Sequence, residues 1–400
     1  MQKYYIKTFG CKVNQYESRL ISEKFKNDNF SAAQDISEAD IIIFNSCTVT
    51  AQADKECEYF LRKVSKFPHK PQIYLTGCMA KNKADYIKSV FPNIKVITNK
   101  AELYSDAATQ SVNTFDGRSR AFLKIQDGCD SFCSYCIVPY VRNELWSKPP
   151  DAVFSEIKNL IKNGFSEIVL TGIHVGKYFK RENLEKDEGG ELNFSGLLEK
   201  IIQIPLNFRV RISSIELNEI DDKLIRLMKE NPQKICRHLH IPLQSGSDGV
   251  LKLMNRRYGS ETYREKTNKI LQALPDLALT ADIITGFPGE TDERHNETVK
   301  FISETSFARL HIFRYSDRNG TRASRFENKV PPEIIKKRSI ELFEIDAKKR
   351  KEFIQKFIGT KRQAANAGKN KALTDNYITQ EIPYAKNGIF EVTIAKEAVI

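Results

Sequence analysis

Three cysteines crowd into Gly128-Cys129-Asp130-Ser131-Phe132-Cys133-Ser134-Tyr135-Cys136, at the spacing C-x3-C-x2-C. Zinc ribbons and knuckles usually pair their ligands as C-x2-C and add a fourth Cys or His, and no fourth ligand lies near these three. Soft thiolates on a loop suit an iron–sulfur cluster or zinc. A three-thiolate site leaves one metal position open, and an open position is where a metal does chemistry. Three further cysteines lie far apart in the chain: Cys11 after Phe9-Gly10, Cys47 after the run ending at Asn45, and Cys78 after Ile73 to Gly77. Each stands just past the carboxyl end of a predicted strand, the edge at which parallel sheets collect ligands. Gly10 and Gly77 directly precede two of them and permit tight turns beside a bulky group. The second trio therefore reads as another cluster site. Cys57, inside a helical pattern, and Cys236, leading into a strand, read as buried thiols.

The elements that must position these thiols follow from hydrophobic periodicity. In the first hundred residues, predicted strands at Lys3 to Thr8, Ala39 to Asn45, Gln72 to Thr76 and Lys95 to Ile97 alternate with helical patterns at Glu17 to Asn27, Asp54 to Lys66 and Lys81 to Val90. Such alternation predicts a parallel sheet with crossover helices. A polar stretch, Thr109 to Gly117, marks a boundary. From Ala121 the alternation restarts, with strands at Ala121 to Gln126, Glu167 to Thr171, Arg209 to Ser213, His238 to Leu243, Leu279 to Ile284 and Arg309 to Tyr315. A doubly wound sheet is one reading, but six consecutive units fit a full or partial β/α barrel, with its chemistry at the carboxyl ends of the strands. Lys180 to Gly190 is charged and reads as a surface loop. Beyond Pro331-Pro332 come a long helix, Glu333 to Phe357, a Gly/Lys/Asn-rich turn region and short alternating strands from Asp375 to Ile400. The fold class is α/β, in three domains: residues 1–112, a parallel α/β unit; 115–345, a partial barrel; and 346–400, a small all-β module.

Composition narrows the setting. A chain of 400 residues suits two or three domains, and its 40% hydrophobic and 28% charged residues are ordinary for globular proteins. Eight cysteines are few for a disulfide scaffold, and the start MQKYYIKTFG has no apolar signal-like stretch, so a reducing cytoplasm is expected. No apolar run approaches the roughly 20 residues of a bilayer span. The net charge of +12 is local: twelve Lys/Arg and five Asp/Glu lie between Pro331 and Lys371. That concentration suits a polyanionic partner.

With its motifs in place the chain resembles the radical S-adenosylmethionine superfamily, and the Cys11, Cys47, Cys78 set narrows this to the methylthiotransferases. The likeness runs through TFGCKVNQYES (8–18), NSCTVTAQADKE (45–56), LTGCMA (75–80), KIQDGCDSFCSYCIVPYVR (124–142), LTGIHVGKY (170–178), RISSIE (211–216), HLHIPLQSGSDGVLKLMNRRY (238–258), ADIITGFPGET (281–291) and HIFRYSDRNGTRA (311–323). Lys12-Val13-Asn14-Gln15 and Cys47-Thr48-Val49-Thr50 most resemble the bacterial enzymes that act on N6-threonylcarbamoyladenosine in tRNA. Relatives acting on isopentenyladenosine usually read GCQMN at the first cysteine, and those acting on a ribosomal protein GCPKN.

The resemblance implies two 4Fe-4S clusters and S-adenosyl-L-methionine as cofactors. Cys129, Cys133 and Cys136 would ligate the cluster that reductively cleaves S-adenosylmethionine. The 5'-deoxyadenosyl radical so formed abstracts hydrogen from adenine C2, a step beyond acid–base chemistry. Cys11, Cys47 and Cys78 would ligate an auxiliary cluster that holds the sulfur, and a second S-adenosylmethionine would supply the methyl group. Tyr135, Thr171, Gly172, Ser213, Ser214 and Gln244 are expected at the cofactor, with Asp282 and His174 as further candidates. His238 and His240 read as core hydrogen-bonding residues. The expected partners are tRNA and a flavodoxin- or ferredoxin-like electron donor, with no membrane. The last module resembles a TRAM domain whose first half, IGTKRQAANAG, reads as shortened. Lys348, Lys349, Arg350, Lys351, Lys361 and Arg362 are its candidate phosphate contacts. Asn143 to Lys148 departs from the family's Arg/Ser-rich turn. A relative acting on a ribosomal protein and a zinc-binding nucleic-acid module are the alternatives.

Overall fold

Ile41, Ile42, Ile43 and Phe44 form an unbroken apolar run, and all four are buried. A run without polar alternation suits a strand covered on both faces, in the interior of a parallel sheet. The computed structural model places it there. Strands β1 (Lys3–Thr8), β2 (Ser31–Ala32), β3 (Ile41–Ser46), β4 (Gln72–Gly77) and β5 (Ile94–Val96) pair in parallel in the order β2-β1-β3-β4-β5. Helices α1 (Lys12–Asn27), α2 (Ala51–Val64), α3 (Cys78–Asn82) and α4 (Ala84–Val90) belong to the same unit. The single helix expected over Lys81 to Val90 is two. Lys83 leaves helical geometry at φ −132° and ψ 29°, where its ammonium reaches back to Asp54 at 3.0 Å and Glu58 at 3.4 Å on α2. The structure describes residues 1–104, 119–178, 192–384 and 386–400. The expected boundary at 109–117 and the expected loop at 180–190 lie outside the described residues.

The second array contains strands β6 (Arg120–Lys124), β7 (Gln126–Asp127), β8 (Trp146–Ser147), β9 (Glu167–Thr171), β10 (Arg209–Ile212), β11 (His238–His240), β12 (Ala278–Thr285) and β13 (Arg309–Arg314). Its helices are α5 (Val138–Val141), α6 (Pro150–Lys162), α7 (Phe194–Ile202), α8 (Asp222–Glu230), α9 (Asp248–Leu253), α10 (Ser260–Ala273) and α11 (Asp292–Glu304). β6, β9 and β10 pair in parallel, as do β11, β12 and β13, and the bridges Val210 to Ile235 and Ser214 to His240 link the two sets. The six long-range strands thus follow sequence order, which a doubly wound sheet would reverse. This is a partial barrel. The expected strand Ala121 to Gln126 breaks after Lys124, because Gln126 and Asp127 turn away to pair antiparallel with Ser147 and Trp146. No ladder among the described residues closes β13 onto β6. Instead α1 lies against β6, and Tyr4, Tyr16, Leu20 and Ile21 share one core with Leu123, Ile168 and Leu170.

Helix α12 (Pro332–Gln355) opens with proline at its first turn and runs unbroken across the expected division at 345/346. Its end, Phe353 and Ile354, packs on Ala364, Ile378 and Val392. These belong to an antiparallel sheet of β14 (Lys361–Gly368), β15 (Lys371–Thr374), β16 (Thr379–Glu381) and β17 (Ile389–Thr393), ordered β16-β15-β14-β17. The segment read as a shortened turn region is therefore β14, one of the two inner strands. Small Ala364 and Ala365 fill its buried positions, so apolar alternation is faint, and only Lys369-Asn370, both at positive φ, makes the turn.

Several basic residues expected to meet phosphate also have partners within the protein. Arg362 grips Asp375 at 2.5 and 3.0 Å and Asp276 at 3.0 Å. Lys349 donates to the carbonyls of Ser303 and Thr305, Arg350 pairs with Asp346 at 3.0 Å, and Lys361 pairs with Glu391 at 2.9 Å. Among the described residues no helix is long and apolar enough to cross a membrane.

Glu167 anchors the lower end of the barrel. Its carboxylate meets Arg120 at 2.7 Å, Arg209 at 2.7 Å and Arg211 at 2.8 Å, and the last two also donate to carbonyls of Gln363, Leu373, Thr374 and Asp375. Burial alone would raise this carboxyl; Arg211, Arg120 and Arg209 hold it well below the usual carboxylate range. Removing the anion leaves buried guanidiniums, so Glu167→Ala is expected to cost about 3–5 kcal/mol, read from urea midpoints at pH 7. A depressed folded value means that this stabilisation is complete above about pH 4.3 and is lost as the pH falls through the folded value. Wild-type and Glu167→Ala midpoints should converge toward acid; a constant gap down to pH 3 would contradict the linkage.

Candidate active site

Cys11 is the residue before α1, Cys47 follows β3 and Cys78 opens α3, so one sheet edge presents all three. The strand ends are stitched together. Asn14 donates to the carbonyls of Phe9 and Ser46 at 2.8 and 2.9 Å, Asn45 to that of Asn14 at 2.9 Å, and Ser46 to that of Thr76 at 2.5 Å. Gly10 sits at φ +85°, and a Cβ there would lie 2.6 Å from Cys47 Sγ. Only glycine lets the first cysteine's turn approach the second so closely. Burial pushes the Cys47 thiol up to about 11, and the Cys78 and Cys11 thiols add to that rise, as neighbours do.

The other trio occupies the loop between β7 and α5. Gly128 enters it at φ +82°, where a Cβ would stand 2.1 Å from Glu144 O. Cys129 N donates to Arg142 O at 3.1 Å and Cys136 N to Cys133 O at 2.9 Å, which fixes the loop's backbone. Cys129 Sγ lies 3.5 Å from His174 Nδ1, and His174 Nε2 lies 2.6 Å from Glu219. Burial raises the Cys129 thiol, but His174 and Ser131 together bring it below its ordinary value. Against burial, Cys129 and Glu219 hold the His174 imidazolium up to about 10. Arg256 approaches Cys133 Sγ at 3.5 Å while its guanidinium pairs with Glu216. Cys136 is raised by burial to about 12. Cys129, Asp130 and His174 could together offer a metal three ligand atoms, but Asp130 already pairs with Lys177 and His174 with Glu219.

Arg142 joins the two trios. Its side chain donates to Cys78 Sγ at 3.4 Å, to Asn14 at 2.8 Å, to Glu17 at 3.0 Å and to Asp127 at 2.8 Å, while its carbonyl holds Cys129 N. Glu17 is also met by Lys100 and, at 2.9 Å, by Lys124. Two carboxylates thus face three cations, and a thiolate at Cys78 would balance the charge. Cys78 also packs on Ile137 and Val141, directly after Cys136. A cavity of about 380 Å³ opens beside it, lined by Glu17, Lys100, Lys124, Asp127 and Trp146 among others.

The remaining expected residues gather along one rim. Thr171 ends β9 with Gly172 after it, and Ser213 and Ser214 follow β10. Gln244, beyond β11, sits at φ +74° with its N–H on Asp282 O at 2.8 Å. Ser213 Oγ is buried without a partner among the described residues, as a hydroxyl awaiting a ligand would be. Tyr135 packs edge-on to Phe287 at 6.5 Å. Three thiols on a glycine-cradled loop, an orphaned hydroxyl and a charge deficit beside Cys78 suit cluster and cofactor binding. His238 and His240 both contact Thr280 Oγ1, and Cys57 and Cys236 are buried, as expected. Arg142, Arg256 and Glu216 lie inside segments that carry the resemblance, but no role was read for them, nor for Glu219, because their partners Cys78, Cys133 and His174 are set only by folding.

Residues 123–302 match the Radical SAM superfamily model, and residues 3–99 match the uncharacterized protein family UPF0004. A threonylcarbamoyladenosine tRNA methylthiotransferase of Bacillus subtilis is 36% identical, over 88% of this chain and 81% of its own. A tRNA-2-methylthio-N(6)-dimethylallyladenosine synthase of Endomicrobium trichonymphae is 34% identical, over 90% and 87%. The chain belongs to the radical S-adenosylmethionine tRNA methylthiotransferases. The methylthiotransferase uses two 4Fe-4S clusters and S-adenosylmethionine. Its fold is shared by a radical S-adenosylmethionine methyltransferase of Kitasatospora setae, at TM-score 0.53 and 13% identity over 78% of this chain and 75% of that one.

Arg142→Met strips Cys78 of its donor and leaves only Lys100 and Lys124 to balance Glu17, Asp127 and a thiolate at Cys78. Iron retained per chain should fall when the variant is made in a background with Cys129, Cys133 and Cys136 replaced by alanine, where only the other trio remains. Unchanged iron and an unchanged urea midpoint would contradict the role given to this guanidinium.

Proposed function

We propose that this methylthiotransferase inserts sulfur and a methyl group at C2 of N6-threonylcarbamoyladenosine beside the tRNA anticodon, giving 2-methylthio-N6-threonylcarbamoyladenosine. One observation carries the reading: Cys78 of one trio packs on Ile137, the residue after Cys136 of the other, so two thiol sets flank one short helix. A base held between them is within reach of both. The relatives named for threonylcarbamoyladenosine, from Bacillus subtilis and Thermotoga maritima at 36% and 35% identity, support the choice of nucleoside.

In this reading Cys129, Cys133 and Cys136 hold the cluster that takes S-adenosylmethionine, and Cys11, Cys47 and Cys78 hold the second. Bound there, these groups supply one-electron chemistry able to break an unactivated C–H bond, which no acid or base of the chain could do. The chain's own residues orient and insulate. Thr171, Gly172, Ser213, Ser214 and Gln244 offer polar groups along the rim to the methionine and ribose ends of the cofactor, with Tyr135 beneath the loop. His174 and Arg256 place hydrogen-bond donors at Cys129 and Cys133, and at Cys129, against burial, His174 and Ser131 hold the thiol below its ordinary value. A flavodoxin- or ferredoxin-like protein supplies electrons. Lys348 and Lys351, on the exposed side of α12, remain available to tRNA phosphates.

The division of labour is open to test after anaerobic reconstitution. Cys133→Ala is expected to abolish S-adenosylmethionine cleavage, whereas Cys47→Ala spares cleavage and stops sulfur insertion; equal loss of cleavage in both would overturn the assignment. Mass spectrometry of tRNA nucleosides decides the substrate. Cells lacking the gene should lose 2-methylthio-N6-threonylcarbamoyladenosine, and unchanged levels without a redundant enzyme would refute the nucleoside.

A further inference from the structure

Among the described residues, three exposed apolar side chains lie close in sequence to the trios: Val49 at 48% exposure, Phe132 at 52% and Tyr140 at 52%. The Val49 amide stands 3.5 Å from Cys47 Sγ, Phe132 directly precedes Cys133, and Tyr140 belongs to α5, whose Val141 packs on Cys78. The rings of Phe132 and Tyr140 meet edge-on at 5.8 Å. Phe132 sits at φ +46°, a left-handed backbone that bulky residues rarely adopt, and Asn255 Nδ2 donates to its carbonyl at 3.1 Å. Such strain persists where the surroundings enforce it, and it gathers at sites that bind. Core packing does not account for a ring held this way and left half open to solvent.

One loop joins these residues into a single face. Its Ser316 Oγ accepts from Ala51 N at 3.0 Å, and its Arg318 donates to Thr48 at 2.6 Å, next to Cys47. It continues to Gly320, where a Cβ would stand 3.7 Å from Ile137, and to Ala323, whose amide donates to Ser134 O at 2.7 Å. Arg322 on this loop is exposed, as is Arg257 two residues beyond Asn255. Neither side chain has an ion pair or hydrogen bond among the described residues.

Exposed aromatic rings bordered by unpaired guanidiniums suit single-stranded nucleic acid, whose bases stack while its phosphates meet the cations. An acidic electron donor would offer the same sign of charge, but it needs access to one trio only. This face runs from Val49 beside one trio to Phe132 beside the other. We propose that Phe132 and Tyr140 form a stacking platform for an unpaired anticodon-loop base next to the modified adenosine, with Arg257 and Arg322 on the flanking phosphates. This rests on a target base held between the two trios, not on which group its N6 carries. A neighbouring base stacked on an anchored ring fixes the register of the loop, and with it the adenine presented to the thiols.

The test measures binding by fluorescence anisotropy, using the reconstituted enzyme and an anticodon stem-loop RNA carrying N6-threonylcarbamoyladenosine. Further copies of this RNA have each unpaired nucleotide beside that adenosine made abasic. One abasic copy should bind the wild type roughly 5- to 100-fold more weakly. Phe132→Leu and Tyr140→Leu should weaken the intact RNA by a similar factor and that abasic copy little further, because both changes remove the same stack. Iron per chain is measured for each variant. Tyr140→Leu, at a residue that adjoins no trio cysteine in sequence, carries the comparison if Phe132→Leu loses iron. Arg257→Gln and Arg322→Gln should each lower the slope of log affinity against log salt by about one. Equal abasic losses in wild type and Tyr140→Leu, or no abasic loss at all, would overturn the platform. Unchanged RNA affinity in the leucine variants, with turnover falling only when a flavodoxin replaces dithionite, would assign the face to the electron donor instead. If the enzyme modifies only an RNA carrying dimethylallyladenosine, the nucleoside assignment fails, and the same abasic comparison on that RNA decides the platform.

Discussion

The guanidinium of Arg142 is the point at which the two halves of the enzyme meet. Its planar fork reaches Glu17 and Asn14 of α1, Asp127 of β7 and the sulfur of Cys78, while its main chain holds the amide of Cys129. A lysine offers a point charge and could not serve so many directions at once. Taking such a group out of water is costly, and breaking a buried pair costs more than forming it gains. The network therefore fixes relative position more than it adds net stability. Position is what a reaction shared between two cofactor sites needs, since small displacements of reacting groups lower rates steeply.

The open barrel explains why the N-terminal unit must dock at all. Among the described residues the six parallel strands do not close and no ladder joins β6 to β13, and a parallel sheet is stable only when both faces are covered. Helix α1 provides part of that cover, with Tyr16, Leu20 and Ile21 in the barrel's own core. The same helix begins directly after Cys11 and carries Lys12, Asn14 and Glu17. One packing event thus completes the core, delivers a thiol and brings charged side chains to the gap. Cover and chemistry come from a single element.

Sequence periodicity located the strands well where burial is one-sided or complete. Lys3–Thr8, Glu167–Thr171 and the helices Phe194–Ile202 and Asp292–Glu304 fall where the apolar pattern predicts them. It failed where tertiary contacts override local signal. Strand β14 is built on Ala364, Ala365 and Asn366, whose side chains carry little hydrophobic contrast, and pairing on both sides makes it a strand. The two cysteine trios stood out in the sequence because thiols at strand ends are rare enough to be noticed, and the structure puts Cys11, Cys47 and Cys78 at one sheet edge. The roles of Arg142, Arg256 and Glu219 were not legible there, since charged residues are common and their partners are set by folding. The basic surplus misled in part: Arg362 and Lys349 are held by acids and carbonyls of this chain, a distinction that composition cannot make.

A common electrostatic motif underlies both thiol sites. At one, Glu17 and Asp127 hold Arg142, which donates to Cys78; at the other, Glu216 holds Arg256, which donates to Cys133. Carboxylate, guanidinium and sulfur follow in the same order from different elements. A guanidinium beside each sulfur offsets the negative charge that a metal-bound thiolate carries. The carboxylates keep each guanidinium in place before any metal arrives, so little rearrangement is left for the moment of binding. Hydrogen bonds to cluster sulfurs also tune reduction potential, and here each trio receives such a donor from a separately anchored arginine. The donors come from different arginines, but Arg142 also holds the amide of Cys129, so the two sites stay linked across one short helix.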